Sequence, residues 1–386
     1  THPVSGSFIK KIPAFLGEAD VIKAIQLLPG VTTVGEGATG FNVRGGGIDQ
    51  NLVLIDEAPV FNSAHLFGLF SIFNPDAVKD VQLVKGGIPA NYGGRLSGVL
   101  DVRQKDGNKK QFEANGGIGT IFSRLSLEGP IIKNKMSFIV AARRSYIDVL
   151  AKPFLKGDLK NSQFSFYDYT AKINYAHKRN SFYLSGYFGD DKFAAANAFG
   201  VKWGNSTITG RWNRAFNRKT FGNLTYYYSR YRYNIIFQNR DIEFNWKSYI
   251  INNSLKADFS YHPTSKNQLA FGGQSVYYRF VPGNAVVTGE TVNSNFSLPD
   301  KYALDNSLYV SNDYNANGKF SLRYGLRFNQ FLYMGKGKAY YYKEAEKPGE
   351  RKEINYTKDF GTNEGINADN NWEPRLGAKY QINKMS

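Results

Sequence analysis

The chain has 386 residues, 42% hydrophobic and 15% aromatic, with no cysteine; it can bury a large core but holds no disulfide, thiolate zinc site or thiol nucleophile. Its net charge of +17 is uneven, because residues 1–107 carry 9 Lys and Arg against 10 Asp and Glu while the remainder carries 40 against 22. No run of 18 apolar residues occurs, which excludes a transmembrane helix and leaves a transmembrane β-barrel open, since barrel strands alternate and look hydrophilic on average.

In chain order, residues 1–107 read as a compact α+β unit. In "GEADVIKAIQLLPGV" the spacing of Val21, Ile22, Ile25, Leu27 and Leu28 predicts a short amphipathic helix that Pro29-Gly30 stops. Next, Gly45-Gly46-Gly47 stands behind Arg44 and ahead of the apolar strand "NLVLIDEAP". No Gly-Lys-Ser/Thr follows, and the strand comes after the glycines, so neither a P-loop nor a dinucleotide fingerprint fits. The reading is a tight corner that needs positive φ; Gly86-Gly87 after Lys85 and Gly93-Gly94 after Tyr92 read the same way. "NPDAVKDVQLVKGG" offers Asn74 as an N-cap with Pro75 at the first helical position, then a strand through Val81, Leu83 and Val84. "GVLDVRQK" is a further strand.

From about residue 110 the pattern changes to long period-two strands. In "FSLRYGLRF" Phe320, Leu322, Tyr324, Leu326 and Phe328 face one way, and Ser321, Arg323, Gly325 and Arg327 the other. "TAKINYA" sets Ala171, Ile173 and Tyr175 opposite Lys172 and Asn174. Turn clusters such as "KNK", "HKRN" and "PTSKN" separate about twelve strands, the first near 111–119 and the last near 373–383. Aromatics gather toward strand ends, as in "TYYYSRYRY" (225–233). Apolar faces outward and polar faces inward, with aromatic girdles, suit a membrane barrel whose lumen holds the basic excess. The same pattern also fits a soluble all-β sandwich or propeller.

Three stretches then carry a specific resemblance. "DVIKAIQLLPGV", "FNVRGGGIDQNLVLIDEAPV" and "FNPDAVKDVQLVKGGIPANYGGRLSGVLDV" resemble, in order and spacing, the plug domain of TonB-dependent outer-membrane receptors. "RLSLEGPIIKNKMSFIVAARRSYID" is similar to the opening barrel hairpin of Bacteroidetes receptors. The resemblance implies an α+β plug over 1–107, then an antiparallel transmembrane β-barrel whose N-terminal part fills 108–386. It implies about 22 strands around a plug, so a chain with about twelve is expected to be incomplete, lacking barrel strands and the upstream TonB box. Two positions depart from the family pattern. Asp56-Glu57-Ala58-Pro59 stands where the family has Asp-Gly-X-Pro, and Lys79-Asp80-Val81-Gln82 replaces a common acidic-Arg-Ile-Glu run.

The resemblance implies a Gram-negative outer-membrane receptor that takes up a scarce ligand through TonB-driven plug displacement. Its partners would be the inner-membrane TonB complex, outer-membrane lipids, an unknown small ligand and a lipoprotein lid. The alternative is a receptor-like barrel serving as a structural or secretion-associated component of a larger assembly. Arg44, Arg95, Lys85 and Asp56 are expected at the plug–barrel contact, and the corner glycines Gly45, Gly46, Gly47, Gly86, Gly87, Gly93 and Gly94 let the plug approach the wall. In "VFNSAHLFGLFSIF", Phe61, Asn62, Ser63, His65 and Phe67 are the ligand-facing candidates, with Asn62, Ser63 and His65 expected to be exposed. His2, His65, His177 and His262 lack ligand spacing, so no metal site is expected. No nucleophile–base pair stands out, so no enzyme and no cofactor are expected. Strand-period spacing of the Tyr-Arg segments argues against nucleic acid.

Overall fold

The computed structural model describes residues 2–9, 19–33, 40–119, 121–154, 156–157, 162–195, 198–239, 242–289, 293–316, 318–344 and 351–382. The N-terminal unit is built on a five-stranded sheet in the order His2–Ser5, Val78–Val84, Val99–Gln104, Leu52–Ile55, Ala58–Pro59. Leu52–Ile55 runs parallel to Val99–Gln104, and the other pairs are antiparallel. Against this sheet lies the helix Val21–Gln26, whose Val21, Ile22, Ala24 and Ile25 are buried. Asp20 caps it by accepting from Ile22 N (2.8 Å) and Lys23 N (3.0 Å), and its other oxygen accepts from Ser71 N at 2.6 Å. One carboxylate therefore starts the helix and ties it to the loop 50 residues on. The core joins Ile22, Ile25, Phe41, Val43, Val81, Leu83, Leu100 and Val102, all 1% exposed or less.

Two local expectations need correction. Leu27 does not share the helix's buried face: it is the C-cap and 70% exposed, because the helix ends one residue earlier. Asn74 starts no helix among the described residues. Its Oδ1 accepts from Asp76 N at 3.0 Å and its carbonyl from Ala77 N at 3.0 Å, which closes a turn. Strand pairing has already begun at Val78, and three residues leave no room for a helical turn.

The second unit is one large antiparallel sheet of 13 strands. Twelve follow each other in chain order: Glu113–Ile118, Phe122–Ile132, Met136–Ser145, Gln163–His177, Asn180–Ala195, Phe199–Ala215, Thr220–Gln238, Ile242–Thr264, Asn267–Gly289, Lys301–Asn315, Phe320–Met334 and Gly365–Tyr380. The thirteenth, Asn293–Ser297, adds to the side of Asn267–Gly289. The connections at 133–135, 178–179, 216–219, 265–266 and 316–319, all of four residues or fewer, join strands at one end, and those at 119–121, 146–162, 196–198, 239–241, 290–300 and 335–364, three of them long, join strands at the other.

Side chains of this wall alternate as a strand must, with an unusual sign. Along Gln163–His177 the buried residues are Phe166, Asp168, Thr170, Lys172 and Asn174, while Tyr169 and Ile173 are exposed. The inner face is thus mostly polar and covered by the N-terminal unit, and the outer face is apolar and bare. "TYYYSRYRY" lies within the strand Thr220–Gln238 and not at its end. Its rings alternate there, with Tyr226 outward (48% exposed) and Tyr227 inward (5%), so it forms no single girdle.

Candidate functional site: the interface between plug and wall

The strands Leu52–Ile55 and Ala58–Pro59 are joined by a two-residue turn, Asp56-Glu57, with φ of 43° and 75°. A tight hairpin demands positive φ at both central residues, which is why glycine suits such a turn. Non-glycine residues there cost roughly 1–2 kcal/mol each, so these two carboxylates need compensation from their surroundings. Glu57 finds it in three cations: Arg103 of its own unit at 3.3 Å, Lys256 of the wall at 3.6 Å, and Arg211 of the wall in a closer pair. Arg103 is braced by Asp101 (2.8 Å) and Lys256 by Asp258 (3.2 Å). Burial pushes the Glu57 carboxyl up, but Lys256, Arg211 and Arg103 outweigh it and hold the group at about 2.

Asp56 beside it accepts from Gln104 N at 3.1 Å and pairs with wall Lys172 at 3.3 Å. Burial still raises its carboxyl above the ordinary carboxylate range, against the pull of Lys172. Lys172 also donates to Gln104 O (3.0 Å) and pairs with Asp106 (3.1 Å), which Lys79 holds at 2.8 Å. Asp76 meets wall Arg124 at 3.2 Å. Of the pairs that cross the interface here, those of Lys172, Arg211, Lys256 and Arg124 take the cation from the wall and the anion from the N-terminal unit, which accounts for part of the charge asymmetry in the sequence, while Lys105 on wall Glu128 (3.4 Å) runs the other way.

A second contact reverses the signs. His65 is 1% exposed, with Nδ1 2.6 Å from Asp191 Oδ2 and Nε2 3.2 Å from Asp168 Oδ2, both on the wall. A ring with a carboxylate at each nitrogen must donate from both, so the geometry selects imidazolium. Burial lowers its affinity for the proton, but Asp191 and Asp168 win and raise the group above its ordinary value. Asp191 Oδ1 also accepts from Leu66 N at 2.8 Å. Arg143 joins Asp168 at 2.8 Å and donates to Ser71 O at 2.7 Å. The ring stacks on Phe166 at 4.3 Å.

His65 is therefore not exposed as its loop position suggests; wall carboxylates bury it. Phe61 N donates to Asn205 Oδ1 (3.2 Å), and Asn205 Nδ2 donates to Asn62 O (2.7 Å). Asn62 and Ser63 are half-buried, and Ser63 O accepts from Ile72 N at 3.1 Å. Phe67, 62% exposed, sits among Phe164, Phe193 and Trp203.

Among the described residues Arg44, Arg95 and Lys85 pair with no carboxylate. Lys85 donates to Pro29 O (2.6 Å) and Arg95 to Gly94 O (2.8 Å), both within the N-terminal unit. Arg44 lies against Gly86, where an added Cβ would meet its guanidinium at 2.5 Å. Arg44 and Lys85 line a cleft of about 1120 Å³ toward the short-turn end. Of the corner glycines, Gly45 takes φ 81°, and Gly93 lies where a Cβ would come within 2.6 Å of wall Arg327. Arg327 and Arg375 also donate from the wall, to Ala90 O (3.2 Å) and Pro89 O (2.7 Å).

A cavity of about 760 Å³ lies between the two units, lined by Glu57, Phe61, Tyr92, Arg95 and Arg103 on one side and Arg211, Lys256, Tyr278, Arg323 and Arg327 on the other. Sequence reasoning did not find Arg143, Asp168, Asp191, Arg211 or Lys256. The signal available was a charged residue on the polar face of an alternating strand, which identifies an inward position but not its partner.

A sheet wall with a polar inner face, an apolar outer face and a folded unit seated against the inside defines a plugged outer-membrane barrel. Residues 10–99 match the family model of the TonB-dependent receptor plug domain. Among solved structures, the siderophore receptor PirA from Acinetobacter baumannii matches with a TM-score of 0.66 at 13% identity, over 99% of this chain and 59% of that one. The ferric yersiniabactin uptake receptor FyuA from Yersinia pestis matches at 0.66 and 12% over 99% and 62%. The copper transporter OprC matches at 0.67 and 10% over 99% and 60%. The chain thus spans about six-tenths of the length of these structures. No curated protein sequence matches it. Residues 10–99 thus form a TonB-dependent receptor plug domain, a domain of Gram-negative outer-membrane proteins, and the chain as a whole shares the fold of these receptors.

Proposed function

We propose that this protein imports a scarce ligand across the outer membrane, with the plug displaced by force from the TonB complex. The observation that carries this reading is the division of forces between the two units. The plug has a core of its own, to which Tyr187 is the one wall contributor among the described residues, whereas plug and wall meet through ion pairs and hydrogen bonds together with two small apolar patches, Leu66 and Phe70 against Phe122 and Phe166, and Ala77 against Ile139 and Ala141. A unit with its own core and a largely polar interface can leave its seat without losing its fold. Energy supplied from outside fits a chain in which no nucleotide loop was found.

The ligand class we infer is an anionic metal chelate. The cavity presents Arg95 and Arg327 together with Tyr278 and Tyr92, while its Arg323 is held by Asp313; six basic residues there face the four carboxylates of Glu57, Asp258, Asp305 and Asp313, a balance that favours a negatively charged aromatic chelate. Siderophore receptors among the structural matches are in keeping with the same class. The test uses the full receptor and a radiolabelled ferric tris-catecholate. Because the chain has no cysteine, paired variants Asn62→Cys/Asn205→Cys and Gly93→Cys/Arg327→Cys can lock the plug on two sides. Uptake should stop under oxidation and return on reduction. Uptake that continues with both locks closed would rule out a moving plug.

A further inference from the structure

Two spaces lie end to end between plug and wall. On the strand Lys301–Asn315 the cavity of about 760 Å³ touches Asp305, Tyr309 and Asp313, and the cleft of about 1120 Å³ touches Asp313, Tyr314 and Asn315. On Phe320–Met334 the cavity touches Phe331, Arg327 and Arg323, and the cleft touches Arg323, Leu322 and Ser321. Asp313 and Arg323 are register partners and belong to both spaces, as does Gln268. The cleft therefore continues the cavity toward the turn at 316–319, and in this barrel class the short turns face the periplasm. Between the two stands a bidentate pair, Arg323 on Asp313 at 2.5 and 2.6 Å.

The charge balance changes along this passage. Six basic residues face four carboxylates in the cavity, whereas the cleft sets Arg44, Lys85, Lys266, Arg323, Arg375 and Lys379 against Asp313 alone. Two of the six are engaged, Arg323 by Asp313 and Arg375 by Glu373 at 2.5 Å. Among the described residues Arg44, Lys85, Lys266 and Lys379 have no carboxylate partner. At the Glu57 turn, by contrast, Arg103, Arg211 and Lys256 each meet a carboxylate of the chain. The four free cations come from both sides, two from the plug and two from the wall. Arg44 keeps its place because position 86 is glycine: a Cβ there would meet the guanidinium at 2.5 Å.

A cleft lined by one sign of charge between low-dielectric walls focuses its field and draws in the opposite ion. We propose that the cleft is a second anion site, in which an anionic chelate that has left the cavity past the Arg323–Asp313 pair is held before its release. For its ligand class the proposal rests on the import reading above. Arg44 and Lys85 hold the chelate from the plug, and Lys266 and Lys379 hold it from the wall, so the ligand bridges the two units. At about 1120 Å³ against 760 Å³ the cleft has room for what the cavity holds. The rise in uncompensated positive charge from cavity to cleft gives the anion a direction of travel.

The test uses the detergent-solubilised full receptor, which presents both faces to solvent. A fluorophore on Leu96→Cys reports on the cleft, and one on Asn91→Cys reports on the cavity. Anionic ferric tris-catecholate should quench both, and a neutral ferric tris-hydroxamate should leave the cleft reporter unquenched. Arg44→Gln/Lys266→Gln should weaken quenching at the cleft at least about tenfold and leave the cavity reporter as in the parent. Arg44→Lys/Lys266→Arg should keep both. In cells, uptake of the radiolabelled chelate by the Gln pair should fall while binding at the cavity stays intact. A cleft reporter that stays unquenched, or is quenched alike in the parent and the Gln pair, would overturn the proposal whatever the cavity reporter shows. Unimpaired uptake by the Gln pair would overturn it too. A quenched cleft reporter beside a silent cavity reporter would support the cleft and count against the reading of the cavity. Heat-modifiable gel mobility shows that each variant has folded.

Discussion

The plug is held at two places by opposite electrostatic designs. At the Asp56-Glu57 turn the plug offers anions and the wall cations; at His65 the plug offers a cation between two wall anions. Both sites sit on strained backbone, since Leu66 and Phe67 take φ of 51° and 55° much as Asp56 and Glu57 take positive φ. The difference lies in the proton. Glu57 keeps its charge at any pH above about 2, whereas His65 keeps its charge only while the imidazole stays protonated. One contact is permanent under physiological conditions, and the other depends on conditions.

The largest expected effect comes from breaking the permanent contact. Glu57→Gln leaves half-buried Arg211 without its carboxylate, while Arg103 and Lys256 keep Asp101 and Asp258, and should weaken plug seating by about 2–3 kcal/mol. Hydrogen exchange at plug residues facing the wall would read this. Glu57→Gly removes the backbone strain as well, and should recover about 1 kcal/mol of that loss. A glycine variant as poorly seated as Gln would show that the turn geometry stores no strain.

The next effect separates the two contacts by pH. The folded His65 lies above its ordinary 6.5, so its stabilisation is complete below that value and is lost as pH rises through the raised one. The folded Glu57 lies below its ordinary 4.5, so its contribution is complete above 4.5 and is lost as pH falls toward about 2. Plug seating should therefore weaken on both limbs. His65→Gln should remove the alkaline limb alone and cost about 2 kcal/mol at neutral pH. Exchange rates measured across pH in the parent and in this variant decide the point; an alkaline limb that persists in His65→Gln would assign it to another group. The groups facing His65 are Asp168, Asp191, Arg143 and Tyr187.

The smallest effect serves as the control. Arg44 is exposed and pairs with no carboxylate among the described residues, so Arg44→Ala should change seating by less than about 0.5 kcal/mol. A larger change would mean that the glycine corner touches the wall after all.

How far the sequence could be read follows the same division. Period two is a local signal, so the long strands, the polar inward row through Lys172 and the short plug strands were all legible. Asp56 stands in a turn, where a carboxylate is ordinarily solvated, and its pair with Lys172 comes from a register 116 residues away that no local pattern gives. His65 was misjudged because its partners lie more than 100 residues away, at Asp168 and Asp191, and only the closed register brings them to one point. Arg44 and Arg95 line spaces shared with the wall but pair with no wall carboxylate among the described residues, and a basic residue at a glycine corner looks the same in sequence in either case. The expected helix after Asn74 failed because cap chemistry and turn chemistry use the same residues, and pairing from Val78 decided between them.

The plug is a self-contained fold whose two charge contacts are the largest polar ties of its interface, beside the apolar patch of Leu66 and Phe70 on Phe122 and Phe166. Hydrogen exchange and thiol labelling on the double variant Glu57→Gln/His65→Gln, carrying Asn205→Cys as a reporter on the wall, test it most directly. Cys labelling should accelerate while the amides of Val78–Val84 and Val99–Gln104 stay protected. Loss of protection in those strands in step with labelling, or labelling no faster than in the parent, would contradict it.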